Sequence, residues 1–358
     1  MAGGGGEIAG EGGSVADLGE WGVIAALKAR MPAGALTSVG IGDDSAVVAT
    51  PSGSVVAAVD MLIEGRHFRR NWSSAYDVGV KAAARSLADI AAMGAVSTAL
   101  LLALAAPGTL PAHWAAELAE GLASEATRAG AGVVGGDTAS ADVVTLSVTA
   151  LGDLQNRGPV LRSGARPGDV IAVAGPLGHS AAGLAMLTAG IQAVPALVAA
   201  HLRPAPPYDA GPEAARLGAT AMIDVSDGLL ADLGHVAAAS GVQVNVDSSR
   251  LAPGTALREA AASLPVSDAS SRTDAAYSRP SVPPAGPSTA TPYAGDTVTT
   301  RVFDWVLTGG EDHSLAAAFP PGTELPGRWR VIGEVREGTG VTVDGAVRDG
   351  LGGWQHFG

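Results

Sequence analysis

Apolar residues along the chain follow two spacings, one helical and one of short continuous runs, and together these predict a mixed α/β fold. Helical spacing covers 15–30, 74–93, with Ser73 or Ser74 as its cap, and 111–129. A further helix is predicted to begin after Pro176 and to run to about Gly190. Strands are predicted from the continuous runs at 98–105, 143–151, 170–174, 221–225, 331–335 and 341–343.

Two apolar runs near the start, 46–48 and 55–59, are separated by a Pro-Ser-Gly segment and predict a hairpin. Asp44 comes just before the first run, and Asp60 ends the second. Because these ends are adjacent in an antiparallel pair, we expect the two carboxylates to lie together.

Four charged residues spaced by four, Asp77, Lys81, Arg85 and Asp89, form one stripe of the helix predicted over 74–93. For Asp77, Lys81 and Arg85 two interpretations are open, a solvated row of ion pairs and a functional role. Asp89 lies near the helix C-terminus, where the helix dipole disfavours negative charge, and its neighbours are apolar. A ligand role for Asp89 therefore competes on equal terms with a structural one.

Two more segments place acids beside glycines. Asp137 follows Gly135 and Gly136 after a short apolar run, which predicts a turn whose backbone can approach a phosphate closely. Asp224 lies in a predicted strand that passes directly into a helix at Ser226 and Asp227. Either of the last two could simply cap that helix, whereas capping does not account for Asp224.

The composition of the chain excludes several kinds of partner and binding site. The 358 residues include 22 Lys and Arg, 35 Asp and Glu and no Cys, giving a formal charge of −13. This balance argues against a nucleic-acid partner, and the lack of thiols excludes disulfides, zinc ribbons and iron–sulfur clusters. Clustered carboxylates need cations, and Mg²⁺ bound together with a polyphosphate fits best. The two lysines, Lys28 and Lys81, follow no glycine-rich loop, so ATP would bind without a P-loop.

Two further features of the sequence concern the location of the protein and a linker. The glycine-rich start has no basic or apolar segment typical of a signal peptide, and no apolar run approaches a membrane span. We therefore expect a cytoplasmic protein with no membrane partner. Residues 266–300 are rich in Ser, Pro and Thr and predict a disordered insertion or linker.

Six segments occur in the order found in thiamine-monophosphate kinases, and the chain resembles that family from about Leu18 to Phe357. They are Gly42–Val48, Asp60–Phe68, Ser86–Gly94, Gly135–Thr138, Ile223–Gly228 and Gly309–Asp312. The family belongs to a superfamily that includes aminoimidazole ribonucleotide synthetase. The resemblance implies transfer of the γ-phosphoryl group of ATP to thiamine monophosphate, and a homodimer.

The resemblance also implies the domains. After a flexible start at 1–16, an N-terminal α/β domain at 17–155 would bind ATP and Mg²⁺, and its four-stranded sheet would pair in the dimer. A C-terminal α/β domain at 156–358 would carry the Ser/Pro-rich insertion.

Site residues follow motif by motif from the same resemblance. The Mg²⁺ ligands would be Asp44, Asp60, Asp89, Asp137, Asp224 and Asp227. ATP would contact Gly136, Asp137, Arg162 and Ser226, and the substrate would contact His67, Glu311 and Trp354. The acceptor phosphate has a second pKa of about 6 and is mostly dianionic at pH 7, so no general base is expected.

The chain departs from the family pattern at a few positions. Ala58 and Val59 stand where hydroxyl residues are frequent, Ala119 stands where an aromatic residue is frequent, and His313 stands where Tyr is usual. None of these changes removes a carboxylate. A purine-biosynthesis synthetase of the same superfamily and a non-catalytic nucleotide-binding scaffold are the alternative functions.

Overall fold

The computed structural model describes residues 14–32, 34–39, 46–265 and 296–347. The chain divides into two compact units. The first contains the residues up to Leu87 together with Ser97–Asp153, and the second contains Ala88–Val96 together with the residues from Leu154 onward. Within the described residues, no helix is long and apolar enough to cross a membrane.

The first unit is built on a four-stranded sheet with the order β3-β6-β4-β5, next to a small β1-β2 pair. Its helices are α1 (Val15–Lys28), α2 (Ala75–Ala92), whose last turn belongs to the second unit, and α3 (Ala112–Arg128). Its strands are β1 (Thr37–Val39), β2 (Val47–Val48), β3 (Val56–Ile63), β4 (Val96–Ala106), β5 (Gly132–Ser140) and β6 (Thr145–Asp153).

The hairpin predicted for 46–48 and 55–59 is wrong. Strand β2 pairs with β1, whereas β3 pairs antiparallel with β6 along its whole length. Asp60 lies inside β3 opposite Val148, and not at a strand end. The local turn signal was misleading because the eight-residue β3 finds its longer partner about ninety residues later in the chain.

Helices α2 and α3 pack backbone against backbone at two glycines. A Cβ on Gly79 would lie 2.1 Å from the carbonyl oxygen of Leu118, and one on Gly121 would lie 2.1 Å from that of Tyr76. At the start of α2, Ser74 and Asp77 form reciprocal hydrogen bonds, since each side chain accepts from the other's backbone N–H. Ser74 is therefore the cap, as one of the two predictions had it.

The second unit contains a seven-stranded sheet with the order β13-β12-β9-β11-β7-β10-β8. Its neighbours pair antiparallel, except for the parallel β12 and β9. The strands are β7 (Val170–Ala174), β8 (Ala221–Val225), β9 (Gln243–Val246), β10 (Ser314–Phe319), β11 (Trp329–Arg336), β12 (Gly340–Val343) and β13 (Ala346–Val347). The helices are α4 (His179–Ala189), α5 (Pro195–Leu202), α6 (Ala210–Arg216), α7 (Leu229–Ser240), α8 (Thr255–Ser263) and α9 (Thr297–Thr308), with a 3₁₀ turn at Ser248–Arg250.

The core of the second unit lies between one face of this sheet and its helices. Ile171 and Ile223 on the strands pack with Leu230, Leu257 and other buried aliphatic side chains of the helices. This arrangement confirms the predicted α/β fold class.

The Ser/Pro-rich segment is shorter than predicted. Residues 266–295 lie outside the described part, but 297–300 form the first turn of α9, where Asp296 caps the helix by accepting from the N–H of Thr299. The sequence of 297–300 resembles a linker because Thr is a weak helix former. The Asp296 cap stabilises the helix in spite of these residues.

Candidate functional site

Asp224 lies near the end of β8, and Ser226 and Asp227 lie in the turn that follows. One oxygen of a further acid, Asp232 Oδ2, accepts hydrogen bonds from the backbone N–H groups of Ser226, Asp227 and Gly228, at 3.1, 3.1 and 3.0 Å. Gly228 is the N-cap of α7 and provides no side-chain cap, so the alternative in which Ser226 or Asp227 caps the helix is wrong. The fixed turn presents Asp227 directly after the buried strand.

Asp232 is a residue that the sequence reasoning missed. It is buried in the first turn of α7, among leucines, where an acid without a partner is unfavourable. An acid among leucines near the start of a predicted helix was the signal that the sequence offered. Burial, together with the nearby carboxylates of Asp224 and Asp227, raises the pKa of Asp232 to about 7. The β8 turn is thus a region of concentrated negative charge.

The loop that precedes β10 folds against this turn. The N–H of Glu311 donates to the carbonyl of Ser226 at 2.7 Å, and the N–H of His313 donates to that of Val225 at 2.9 Å. A Cβ on Gly310 would lie 2.5 Å from the Ser226 oxygen, so the approach requires glycine. The structure therefore brings together two of the sequence motifs, Ile223–Gly228 and Gly309–Asp312.

The Glu311 side chain lies beside a buried pair that the sequence did not indicate. Glu311 Oε2 is 3.6 Å from His201 Nδ1, and that nitrogen is 2.9 Å from Ser180 Oγ. His201 and Ser180 are both buried, whereas the Glu311 side chain is partly exposed. Glu311 is thus anchored at one side and accessible at the other, as a binding carboxylate needs to be.

Asp312 has a structural task. It is buried, and its two carboxylate oxygens accept from the N–H groups of Gly178 at 2.5 Å and Ser180 at 2.8 Å, at the start of α4. These bonds tie the loop to the helix N-terminus. Burial raises the pKa of Asp312 to about 7.

In the first unit, Asp60 is held by helix α2. Ser86 Oγ donates to Asp60 Oδ2 at 3.1 Å, and an Arg85 guanidinium nitrogen is 3.6 Å from Oδ1. Lys81 is also buried on α2, and its Nζ donates to the carbonyl of His67 at 3.2 Å. The interpretation as a solvated stripe is therefore wrong for Lys81 and Arg85, whereas Asp77 is partly exposed at the helix start.

His67 is fixed in a tight turn after β3. Its Nδ1 accepts from the N–H of Ile63 at 3.0 Å, and its own N–H donates to the carbonyl of Ile63. Since Nδ1 is an acceptor, the neutral ring carries its proton on Nε2. The side chain is thus prepared to donate from Nε2.

Gly136 and Asp137 lie inside strand β5, so the glycine turn predicted there is wrong. A β-bulge shifts the register of β5 on β4 between Leu100 and Leu101. A Cβ on Gly136 would lie 1.8 Å from the carbonyl oxygen of Leu102, so glycine serves the close strand pairing. After the bulge, exposed Asp137 pairs with exposed Ala103.

The two acids of the first sheet consequently face opposite ways. Asp60 pairs with buried Val148 on the face covered by α2, and Asp137 lies on the open face. Asp89 is partly buried in α2, one turn after Arg85, and Arg162 is exposed in the segment before β7. Asp44 and Trp354 lie outside the described residues.

The positions of the Asp, Glu and His side chains limit how a metal ion could be bound. Across the described residues, no three His, Asp or Glu side chains converge on one point. Mg²⁺ commonly takes only one or two carboxylates and completes its shell with water and phosphate, so such a cage is not required. Burial raises the pKa of Asp232 most, and the carboxylates of Asp224 and Asp227 add to it; neighbouring carboxylates of this kind fit a hard cation.

Comparison with known proteins gives the family. Residues 42–154 match the model of the AIR synthase related protein N-terminal domain, and 166–278 match that of its C-terminal domain. A thiamine-monophosphate kinase of Mycobacterium tuberculosis (strain H37Rv) is 44% identical over 352 residues, covering 98% of this chain and 95% of the relative. The chain belongs to the thiamine-monophosphate kinase family. The predicted resemblance is thereby confirmed.

Other family members agree. The thiamine-monophosphate kinase of Corynebacterium glutamicum is 38% identical, covering 97% of this chain and 96% of the relative. Among solved structures, AaThiL complexed with AMPPCP and TMP aligns with a TM-score of 0.71 and 30% identity over 95% of this chain and 98% of that one. The thiamine-monophosphate kinase of Stenotrophomonas maltophilia K279a gives 0.69 and 30%, over 90% and 94%. The chain is accordingly a kinase, and neither alternative function is favoured.

Proposed function

We propose that this kinase transfers the γ-phosphoryl group of ATP to the phosphate of thiamine monophosphate, giving thiamine diphosphate and ADP. The observation that carries the proposal is the contact between the Asp224–Asp227 turn and the Glu311 loop, which joins proposed metal and ATP ligands to a proposed substrate ligand. AaThiL, which has been solved with AMPPCP and TMP, supports the same pair of substrates.

The proposed Mg²⁺ ligands are Asp44, Asp60, Asp89, Asp137, Asp224 and Asp227, of which Asp60 and Asp137 would bind separate ions because they lie on opposite faces of the first sheet. When bound, Mg²⁺ would neutralise charge on the transferring and leaving phosphates. The protein's part is to hold its carboxylates ready. Ser86 and Arg85 do so for Asp60, and the three amides bound by Asp232 do so for the β8 turn.

Other residues would position the two substrates. We propose that the Nε2–H of His67 donates to the phosphate of thiamine monophosphate, while Glu311 and Trp354 bind its thiamine part. ATP would contact Gly136, Arg162 and Ser226 in addition to Asp137. Because the acceptor is already mostly dianionic at pH 7, these residues need only bring two anions into line and no general base is required.

We also propose a homodimer formed through the four-stranded sheet of the N-terminal domain, 17–155. On the edge strand β3, Val59 is 62% and Met61 51% exposed, and both lie on the open face, at the opposite edge of the sheet from the strand that carries Asp137. Exposed apolar side chains on one sheet face favour burial against a partner, and a second copy offers the same surface.

We also propose that residues 156–358 form the C-terminal domain. The proposed location of the protein is the cytoplasm.

The test is to incubate the purified protein with ATP, Mg²⁺ and thiamine monophosphate and to measure thiamine diphosphate. We expect Asp44→Asn, Asp89→Asn and Asp224→Asn each to lower turnover at least about 100-fold, the scale of losing one electrostatic element. The matched control is Asp142→Asn, at an exposed acid outside the proposed site. Near-normal turnover in all three variants would refute the ligand assignment, and turnover of a formylglycinamidine substrate instead would favour the synthetase alternative.

A further inference from the structure

A buried histidine contacts a proposed metal ligand in the second unit. His313 Nδ1 lies 3.2 Å from Asp224 Oδ2, and the two side chains are only 3% and 5% exposed. His313 stands where the family resemblance leads us to expect Tyr.

The backbone holds the imidazole of His313 in place. The backbone N–H of His313 donates to the carbonyl of Val225, and the φ of His313, +52°, is a left-handed conformation that a histidine rarely adopts. Glu311, two residues earlier, has a φ of +64°. Such conformations persist where the surrounding contacts over-determine them, and here Asp312 anchors the same loop to α4.

The second ring nitrogen of His313, Nε2, differs from Nδ1 in its contacts. Within the described residues, His313 Nε2 is buried and has no hydrogen-bond partner. Leaving a buried acceptor unpaired is unfavourable, so an apolar ring would pack there more easily. The polar contact that compensates is the one from Nδ1 to Asp224.

We propose that His313 is a positioning residue for Asp224, an inference that rests on the proposed function. Its Nδ1–H donates to Oδ2 of the carboxylate, which would leave Oδ1 available to Mg²⁺. Hydrogen bonds to a ligating carboxylate fix its orientation and tune its affinity for the ion. His313 would therefore act through Asp224 and not as a ligand.

Two substitutions of similar size test the donor. His313→Asn keeps an N–H close to the place of Nδ1 and tolerates the positive φ, whereas His313→Leu lacks any donor. The matched control is Thr342→Val, which removes a buried hydrogen bond to Asn245 on the far side of the same sheet. Circular dichroism and thermal unfolding establish that each variant is folded.

Binding of MgCl₂ alone is then measured by isothermal titration calorimetry. We expect His313→Leu to weaken Mg²⁺ binding about 10- to 100-fold, and His313→Asn and Thr342→Val to bind like the wild type. Wild-type affinity in folded His313→Leu would overturn the proposal. So would equal losses in the Asn and Leu variants, an equal loss in Thr342→Val, or a wild type that binds no Mg²⁺.

The enzyme assay separates this inference from the proposed function. In steady state, the same variants should shift the Mg²⁺ concentration that gives half-maximal rate, with little change in KM for thiamine monophosphate. A wild type that shows the expected Mg²⁺ binding pattern but forms no thiamine diphosphate would refute the proposed function and leave the role of His313 in holding Asp224 intact.

Discussion

The crossing of α2 and α3 can be tested by adding one methyl group. At both Gly79 and Gly121 the position of a Cβ is 2.1 Å from a backbone carbonyl oxygen of the other helix, whereas ordinary contacts are 3.4–4 Å. Gly79→Ala or Gly121→Ala must therefore push the helices apart by about 1.3 Å. Backbone atoms cannot rotate away as a side chain can.

The size of the effect follows from two opposing terms. Overpacking costs about 1–3 kcal/mol, and we expect the upper end because the contact is with backbone. Alanine returns about 1 kcal/mol through its better helix propensity. The net loss is about 2 kcal/mol for each variant. Displacing α2 also moves Ser86 and Arg85 away from Asp60, so kinase activity should fall as well.

Urea unfolding followed by circular dichroism measures the loss, and the formation of thiamine diphosphate measures the activity. Glu117→Ala is the control, because it brings the same favourable residue to an exposed position of α3. A Gly79→Ala protein as stable as wild type, or stabilised like Glu117→Ala, would refute the close approach of the two helices.

Three further predictions concern the second unit. Asp232→Ala should lower the free energy of unfolding by about 3 kcal/mol or more, since three amides lose their acceptor, while Asp232→Asn, which keeps an oxygen, should lose less in the same urea titration. Because burial raises the pKa of Asp312 to about 7, above an unfolded value of about 3.9, the folded state binds the extra proton and stability should fall as pH rises from about 4 to about 7. Asp312→Asn should flatten that part of the pH profile, and equal slopes in both proteins would contradict the raised pKa. Arg301 donates to the carbonyl of Pro265, so the ends of the Ser/Pro-rich segment lie close together; replacing 267–294 by a short Gly-Ser linker should preserve the melting temperature, and a large drop would show that the segment stabilises the fold.

The sequence predicted best where local signals agreed with the final packing. Helix α2 is predicted within one residue at each end, because the cap at Ser73 or Ser74 and the apolar spacing indicate its boundaries. The loop of Glu311 was found because its motif is short and contains acids beside glycines. Its contact with the β8 turn could not be predicted, since it depends on how β10 pairs with β8.

Elsewhere the local signal had a different cause. Gly135 and Gly136 resemble a turn, but Gly136 is required by the neighbouring carbonyl of Leu102 across two paired strands. His201 is not predicted because its partner Ser180 lies on another helix, and Asp232 is not predicted because its partners are backbone amides, which sequence patterns do not reveal.

The bulge in β5 makes the length of this strand as important as its composition. Val134 is the extra residue, because Leu100 pairs with Val133 and Leu101 already pairs with Gly135. Deleting Val134 would therefore join the two paired stretches in regular register and leave Asp137 on the open face, whereas deleting Gly136 would place Asp137 opposite buried Leu102 and turn its carboxylate toward the helices. A deletion at 134 should therefore be far less damaging than a deletion at 136.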